Sequence, residues 1–410
     1  MSQVRSFARR VKQALKFRYY RMQLRRPVDQ RLAVYCAYSG RGVRCNPGAI
    51  YEKARELAPQ IRGVWVVKHD RVPAVPEGVD YVVEGSLAYF RVLARAKYLI
   101  NNAHFAEYTV KRPGTVHVQT HHGTPLKFMG LDGLTHNGRT GKGSDKMLKR
   151  AAKWDFSLAA NPHTTAAWRT AYPGSWESLE YGYPRNDILV NAAPDHRARV
   201  RAELGIEPGK RVILVAPTHR GSLGERFTGH LDVAALAEAL GPDTVILLRT
   251  HYFYDKQAQP GAGRVIEVTE YPIIEDLYLA ADVLITDYSS AMFDYAVLDR
   301  PIVVFAADWE QYRTSRGAYF DIFEVRPGVV VRTQEELAEA FAAGTVDDDA
   351  AKQARQAFRE RFCALEDGRA SERVVRRVLL GEPVTHPAAA PAVPRQAAAE
   401  PETAERLVTP

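Results

Sequence analysis

Two successive stretches of the chain alternate short apolar runs with helix-like segments, and this βα rhythm restricts the fold more than any other feature. After Pro27, residues 31–38 read as a strand, Asn46-Pro47 opens a helix that runs to Leu57, and 64–68 and 80–83 read as strands. Residues 88–96 have helical spacing, followed by apolar runs at 98–101, 115–119 and 156–159. A second alternation begins at Arg211, with strands at 212–216, 245–249, 265–268, 282–286 and 302–305. Its helices fall at 233–240, 273–281, 291–298 and 333–343, the last opened by Thr333-Gln334-Glu335-Glu336, a capping-box pattern. The expected fold class is α/β, with two Rossmann-like domains facing a cleft and ligands at the carboxyl ends of the strands. A chain of 410 residues has room for two such cores.

Charge separates one end from the rest. The net charge is +8, yet residues 1–26 carry nine Lys or Arg and no acid, which leaves −1 for everything after them. In the same segment Val4, Phe7, Val11, Leu15, Tyr19 and Met22 recur at spacings of three and four, one apolar stripe on a basic helix. Such a helix suits an anionic membrane surface, each cation contributing on the order of 1 kcal/mol there; the alternatives are a helix packed on its own domain, a mitochondrial-type presequence or a nucleic-acid arm. No run approaches the roughly 18 to 20 apolar residues that span a bilayer, and no secretory signal is recognisable. Three cysteines without CxxC spacing suggest neither a disulfide framework nor zinc. The expected divisions are 1–28 (basic membrane-surface segment), 29–195 and 196–345 (the two domains), 346–381 (C-terminal helices) and 382–410, a Pro- and Ala-rich tail read as disordered.

The polar residues cluster where the strands end. Gln119-Thr120-His121-His122-Gly123-Thr124-Pro125-Leu126-Lys127 follows the strand at 115–119: an imidazole can take a proton from a hydroxyl near neutral pH, a glycine admits close approach, and Lys127 can face phosphate. A lone histidine after a strand is more often structural, and it is the cluster that favours catalysis. In the second unit Pro217-Thr218-His219-Arg220 and Arg249-Thr250-His251 occupy strand ends, where arginines can fork onto pyrophosphate oxygens and His251 can donate to a leaving group. Asp287-Tyr288-Ser289-Ser290 then starts a helix that contains Asp294. Two hydroxyls and free N–H groups at a helix start suit phosphate, although plain N-capping needs only one of them. Gly138-Arg139-Thr140-Gly141-Lys142-Gly143 lacks the upstream glycine of a phosphate loop and has Gly143 after its lysine, so it reads as a mobile basic loop. The acidic run 347–349 lies far from these motifs, and no metal or other cofactor is expected.

With His122-Gly123-Thr124-Pro125-Leu126-Lys127, Gly182-Tyr183-Pro184-Arg185-Asn186-Asp187, Ala216-Pro217-Thr218 with Arg220, Arg249 with His251, and 284–295 in order, the chain resembles the CDP-glycerol glycerophosphotransferases, the teichoic acid primases and polymerases, over residues 30–380. The resemblance implies a GT-B-like fold, a donor nucleotide in the second domain, and transfer of glycerol phosphate or a related polyol phosphate from CDP-glycerol to a lipid-linked or polymer acceptor, with release of CMP. It implies His122 as catalytic base. Donor-binding positions would be His122, Gly123, Thr124, Pro125, Leu126, Arg185, Pro217, Thr218, Arg249, Thr250, His251, Ser289, Ser290 and Asp294, to which Lys127 and Arg220 are added on their own chemistry. His121 and His219 stand where relatives usually have tryptophan. The expected partners are a CDP-polyol, the acceptor and an anionic membrane at its cytoplasmic face, not nucleic acid. The alternatives are an inverting glycosyltransferase of the same architecture that uses a UDP-sugar and a nonenzymatic adaptor acting through its basic segment.

Overall fold

The computed structural model describes residues 2–139, 141–218, 231–250 and 264–384. Among the described residues thirteen strands form two sheets in which every pairing is parallel. The first holds β1 (Asp29–Cys36), β2 (Arg62–Val67), β3 (Tyr81–Val83), β4 (Ala96–Asn101), β5 (Val116–Gln119), β6 (Phe156–Ala159) and β7 (Glu177–Glu180) in the order β3-β2-β1-β4-β5-β6-β7. The second holds β8 (Arg211–Ala216), β9 (Thr244–Leu248), β10 (Val265–Glu267), β11 (Val283–Thr286), β12 (Ile302–Phe305) and β13 (Val329–Val331) in the order β10-β9-β8-β11-β12-β13. The strand order reverses between β1 and β4 in one sheet and between β8 and β11 in the other. These are the switch points where loops diverge and leave a crevice.

Helices cover both faces, so central strands carry continuous apolar runs instead of alternating, as 212–216 and Ile302–Phe305 do. All five residues of β9 are buried. Alternate residues of β8 enter different cores: Val212 and Leu214 meet Leu277, Met292 and Phe293, whereas Ile213 and Val215 meet Val233, Leu236 and Leu337. In the first sheet Tyr35, Ile100 and Val118 pack with Trp65 and Tyr51, and Val34, Val66 and Leu99 pack with Tyr89, Phe90 and Leu93.

Two strands, β7 and β13, go beyond those expected from the sequence. The first is polar (Glu-Ser-Leu-Glu) and buries only Leu179, as an edge strand requires, and the second has three residues. Only the last two residues of the expected basic loop, Lys142 and Gly143, belong to a helix, Lys142–Ala151. At Thr333 the expected capping box is halved: its side chain accepts from the Glu336 N–H, but Glu336 takes the Arg332 N–H at 2.6 Å.

The C-terminal helices are not a separate layer. Asp349–Phe362 buries Phe358 and Phe362 in the second domain. The chain then crosses back, and Val374, Val375, Val378 and Leu379 complete the core of the first. Residues 382–384, expected to be disordered, pack there: Val384 lies against that core and Glu382 pairs with Arg376 at 2.7 Å. The remaining tail, 385–410, lies outside the described residues.

A helix spans Ser2–Gln23. It docks by Tyr20, which is buried, and Phe17, against Phe90 and Tyr108 at ring distances of 5.0 to 6.2 Å. The Tyr20 hydroxyl accepts the Val110 N–H at 2.9 Å. Val11, Leu15 and Met22, members of the apolar stripe, are left exposed.

Candidate active site

The loop after β5 presents His122 to the crevice, on which its ring is open. Its Nδ1 lies 3.1 Å from the Asn102 carbonyl, in the loop after β4. A carbonyl only accepts, so Nδ1 carries the proton and Nε2 is left with its lone pair. Desolvation, with the charges of Arg185 and Lys127 adding to it and the bond to Asn102 opposing it, lowers the pKa to about 4, so the imidazole is neutral at pH 7. Tyr38, after β1, sets its ring edge-on to His122 at 5.6 Å. Among the described residues, four of the five non-glycine positions with positive φ flank this region: Tyr38, Ser39, Cys45 and His121. The fifth is Asp299. Such strain persists only where surroundings hold it.

One residue unseen in the sequence does much of that holding. Asn46, fully buried, donates to the carbonyls of Thr120 and His121 at 3.0 and 3.1 Å and accepts the Arg185 N–H at 3.2 Å. It joins the loops after β1, β5 and β7. In the sequence, Asn46-Pro47 after a strand signals a helix opening but none of these long-range bonds.

His121 turns away from the crevice. It stacks on Trp168 at 4.2 Å, meets Trp154 edge-on at 5.5 Å, and its Nε2 reaches the Ser157 hydroxyl at 3.0 Å. Its place is in an aromatic cluster of the first domain. Thr124 accepts from the Thr164 hydroxyl at 3.3 Å, the Pro125 carbonyl takes His163 Nε2 at 3.1 Å, and Leu126 is buried in the second domain's core.

The two domains meet along this loop. The Leu126 carbonyl accepts the Tyr319 N–H at 2.8 Å, and Lys127 forms an antiparallel bridge with Ala318. Gly123 lies against the loop after β11: a Cβ there would fall 2.5 Å from Ser290 Oγ and 2.7 Å from Ser290 Cβ. The Lys127 ammonium pairs with no described residue, and burial, with repulsion from Arg316, lowers its pKa.

Other expected ligand groups are already engaged. Arg185 and Asp294 form an ion pair across the domain junction, 7% and 1% exposed. Glu275 Oε1 lies 3.9 Å from Arg185 Nε, and Asn186 donates to Asp294 at 3.2 Å. Burial disfavours the guanidinium charge, but Asp294, Cys45, Tyr38 and Glu275 outweigh it, and the pKa rises. The motif 182–187 is thus a junction: Glu366 accepts the Tyr183 N–H at 3.1 Å and Asn186 Nδ2 at 3.2 Å, and Asp187 accepts the N–H groups of Ala370 and Ser371. Arg249 Nη1 donates to the Val268 and Tyr271 carbonyls at 3.0 and 2.8 Å, and Thr250 pairs with Thr269.

Pro217 and Thr218 follow β8 directly. Thr218 donates its N–H and hydroxyl to Asp287 Oδ1 at 2.8 and 2.5 Å, across the switch point, a role for Asp287 that the sequence reading did not assign. Ser289 and Ser290 do open a helix, but it has five residues (Ala291–Tyr295); Ser289 Oγ accepts the Ala291 N–H at 3.3 Å, while Ser290, the N-cap, makes no side-chain cap. His219, Arg220 and His251 lie outside the described residues. Among the described residues no three His, Cys, Asp or Glu side chains converge as a metal site would.

Comparison with known proteins places this arrangement. The family model described as CDP-Glycerol:Poly(glycerophosphate) glycerophosphotransferase matches residues 18–380. The chain is 35% identical over 376 residues to a teichoic acid poly(glycerol phosphate) polymerase of Bacillus subtilis (strain 168), covering 88% of this chain and 50% of that one, so it spans about half that relative's length. It is 35% identical over 366 residues to a teichoic acid glycerol-phosphate transferase of Staphylococcus aureus (strain NCTC 8325 / PS 47), covering 85% and 93%. The solved wall teichoic acid polymerase TagF superposes with a TM-score of 0.80 at 30% identity over 92% of this chain and 95% of that one. With this match over two facing parallel sheets, the fold is GT-B-like, and the chain belongs to the CDP-glycerol:poly(glycerophosphate) glycerophosphotransferase family.

Proposed function

We propose that the protein transfers glycerol phosphate from CDP-glycerol to the terminal hydroxyl of a teichoic-acid-type acceptor and releases CMP. The observation that carries this reading is His122: a neutral imidazole open to the crevice, its Nδ1 proton committed to a carbonyl and its Nε2 lone pair available. The relation to TagF, whose crystals were also solved after soaking with CDPG, supports the donor. In the reaction the acceptor hydroxyl gives its proton to Nε2, the oxygen attacks the phosphorus that bears glycerol, and the bond to the CMP oxygen breaks. No covalent enzyme intermediate is required. Charge on the phosphoryl oxygens needs fixed cations and dipoles. Lys127 supplies one, with Arg249, Arg220, His251 and the Ser289-Ser290 turn as further donor contacts.

The exposed stripe Val11, Leu15 and Met22 and the nine cations of residues 1–26 support attachment to an anionic membrane at its cytoplasmic face. The described residues include no helix long and apolar enough to cross a membrane. Leu15→Glu should weaken binding to anionic vesicles without lowering the melting temperature, since Tyr20 and Phe17, not Leu15, dock the helix.

The deciding experiment incubates purified protein with CDP-glycerol, CDP-ribitol or UDP-sugars and a glycerol-phosphate-primed acceptor in liposomes, and measures nucleotide release. CMP from CDP-glycerol only when acceptor is present is expected, and His122→Ala should lower the rate about 10² to 10⁴-fold. UDP release from a sugar donor, or wild-type turnover by His122→Ala, would overturn the reading.

A further inference from the structure

A groove of about 540 Å3 on the first domain is lined by Glu107, Asp145, Lys146, Lys149, Arg150 and Lys153. Four cations face two acids. Glu107 is shared by Lys146 and Arg150, each at 2.7 Å, so one carboxylate serves two cations. The Lys153 ammonium is built into the wall through the Glu107 and Thr109 carbonyls at 2.9 and 2.8 Å. Lys149 is exposed and pairs with no described residue. Arg150 Nε and Thr109 Oγ1 are buried without partners, and both border a void of about 20 Å3 that shares Arg150 and Lys153 with the groove. Nearby His104 has its pKa lowered by burial and then by Arg150 and Lys146. The cationic field is under-neutralised.

Its layout is directional. Lys146, Lys149 with Arg150, and Lys153 follow one another at three to four residues along and just past the helix Lys142–Ala151, one cationic step per turn of about 5.4 Å. A repeating polyanion meets such a row with each charge in turn. Glu107 lies five residues after Asn102, whose carbonyl orients His122, and five residues span at most about 18 Å. The groove is therefore within a short reach of the base.

We propose that this groove binds the phosphodiester backbone of the acceptor chain, behind the terminal hydroxyl that His122 deprotonates; the proposal rests on the transfer reaction above. A lipid surface fits less well, because no apolar side chain lines the groove, whereas exposed apolar residues stand on the N-terminal helix.

The test uses the full-length double variant Lys146→Gln/Lys149→Gln, which leaves Lys153 in the wall. Soluble glycerol-phosphate oligomers of several units, and single glycerol phosphate, are titrated without donor. Oligomer affinity should fall about tenfold, because two exposed cations no longer face the phosphates, most strongly at low salt, with single glycerol phosphate unaffected. In turnover the KM for a long acceptor should rise by a similar factor, and that for a one-unit acceptor should not. Wild-type oligomer affinity in the variant overturns the proposal. So does a defect seen with anionic vesicles free of acceptor but not with oligomers, which would make the groove a headgroup site. Absence of CMP release by the wild type would instead sink the transfer reading, while the oligomer titration would still judge the groove.

Discussion

Replacing Asp294 by Asn should destabilise the domain junction without removing a ligand. The change keeps the side chain's shape and an oxygen for Asn186, but leaves Arg185, 7% exposed, without its main counter-charge. Breaking a buried pair in this way costs about 3 to 5 kcal/mol. Glu275, 3.9 Å from Nε, retains part of the compensation, so the lower end of that range, about 3 kcal/mol, is expected. At about 2 to 4 °C per kcal/mol for domains of this size, melting should fall by roughly 6 to 12 °C. Circular dichroism melts at pH 7 would measure this. The double variant Arg185→Met/Asp294→Leu removes both charges and should recover at least half of the loss, because no buried ion is left unpaired. If Asp294→Asn melts with the wild type and instead raises only the KM for CDP-glycerol, Asp294 is a donor ligand and the junction argument fails; a double variant less stable than the single would refute it equally.

Three further outcomes follow from the same geometry. Gly123→Ala drives a methyl into Ser290 at a φ of +156° that side chains rarely adopt and should lower kcat/KM about tenfold or more, as overpacking costs of about 1 to 3 kcal/mol imply; wild-type kcat/KM in this variant would refute the close approach of the two loops. Because the His122 pKa is lowered to about 4, its neutral form persists as pH falls through 6.5, and the acid limb of kcat/KM, which reports the free enzyme, should inflect nearer 4 than 6.5; an inflection at or above 6.5 counts against it. Glu366 is pushed up to about 8 by burial, outweighing its hydrogen bonds. A carboxyl raised in the folded state stabilises below its unfolded value near 4.5, and that contribution is lost as pH rises through about 8, so urea titrations of Glu366→Gln should show a flatter decline across that window than the wild type, and parallel curves would refute the assignment.

The sheet strands were legible because parallel strands buried on both faces need continuous apolar runs, as 212–216 and 302–305 show. The edge strand β7 escapes that rule because three of its four residues are polar, and β13 is too short, at three residues, to stand out. The loop around His122 was legible from its density of polar residues at a strand end. Asn46 was not, since its three hydrogen bonds reach positions 74, 75 and 139 residues away. Arg185 and Asp294 were picked as ligands because their chemistry suits phosphate and hydroxyl, but that same chemistry makes an ion pair once the fold brings them together across 109 residues. The N-terminal helix was read by its exposed stripe; Tyr20 and Phe17 act as its anchor only because Phe90 and Tyr108 wait on the domain.

By itself the sequence determined the periodicity, and with it two parallel α/β sheets, the strand ends at which polar residues gather, and the family those motifs belong to. These are local properties, written in hydrophobic spacing and turn chemistry. Tertiary structure alone decided which polar groups face the crevice and which neutralise one another, which nitrogen of His122 carries the proton, and that the last helices return to the first domain. Those outcomes depend on distances between residues far apart in the chain, and burial sets their energies, which no stretch of sequence contains.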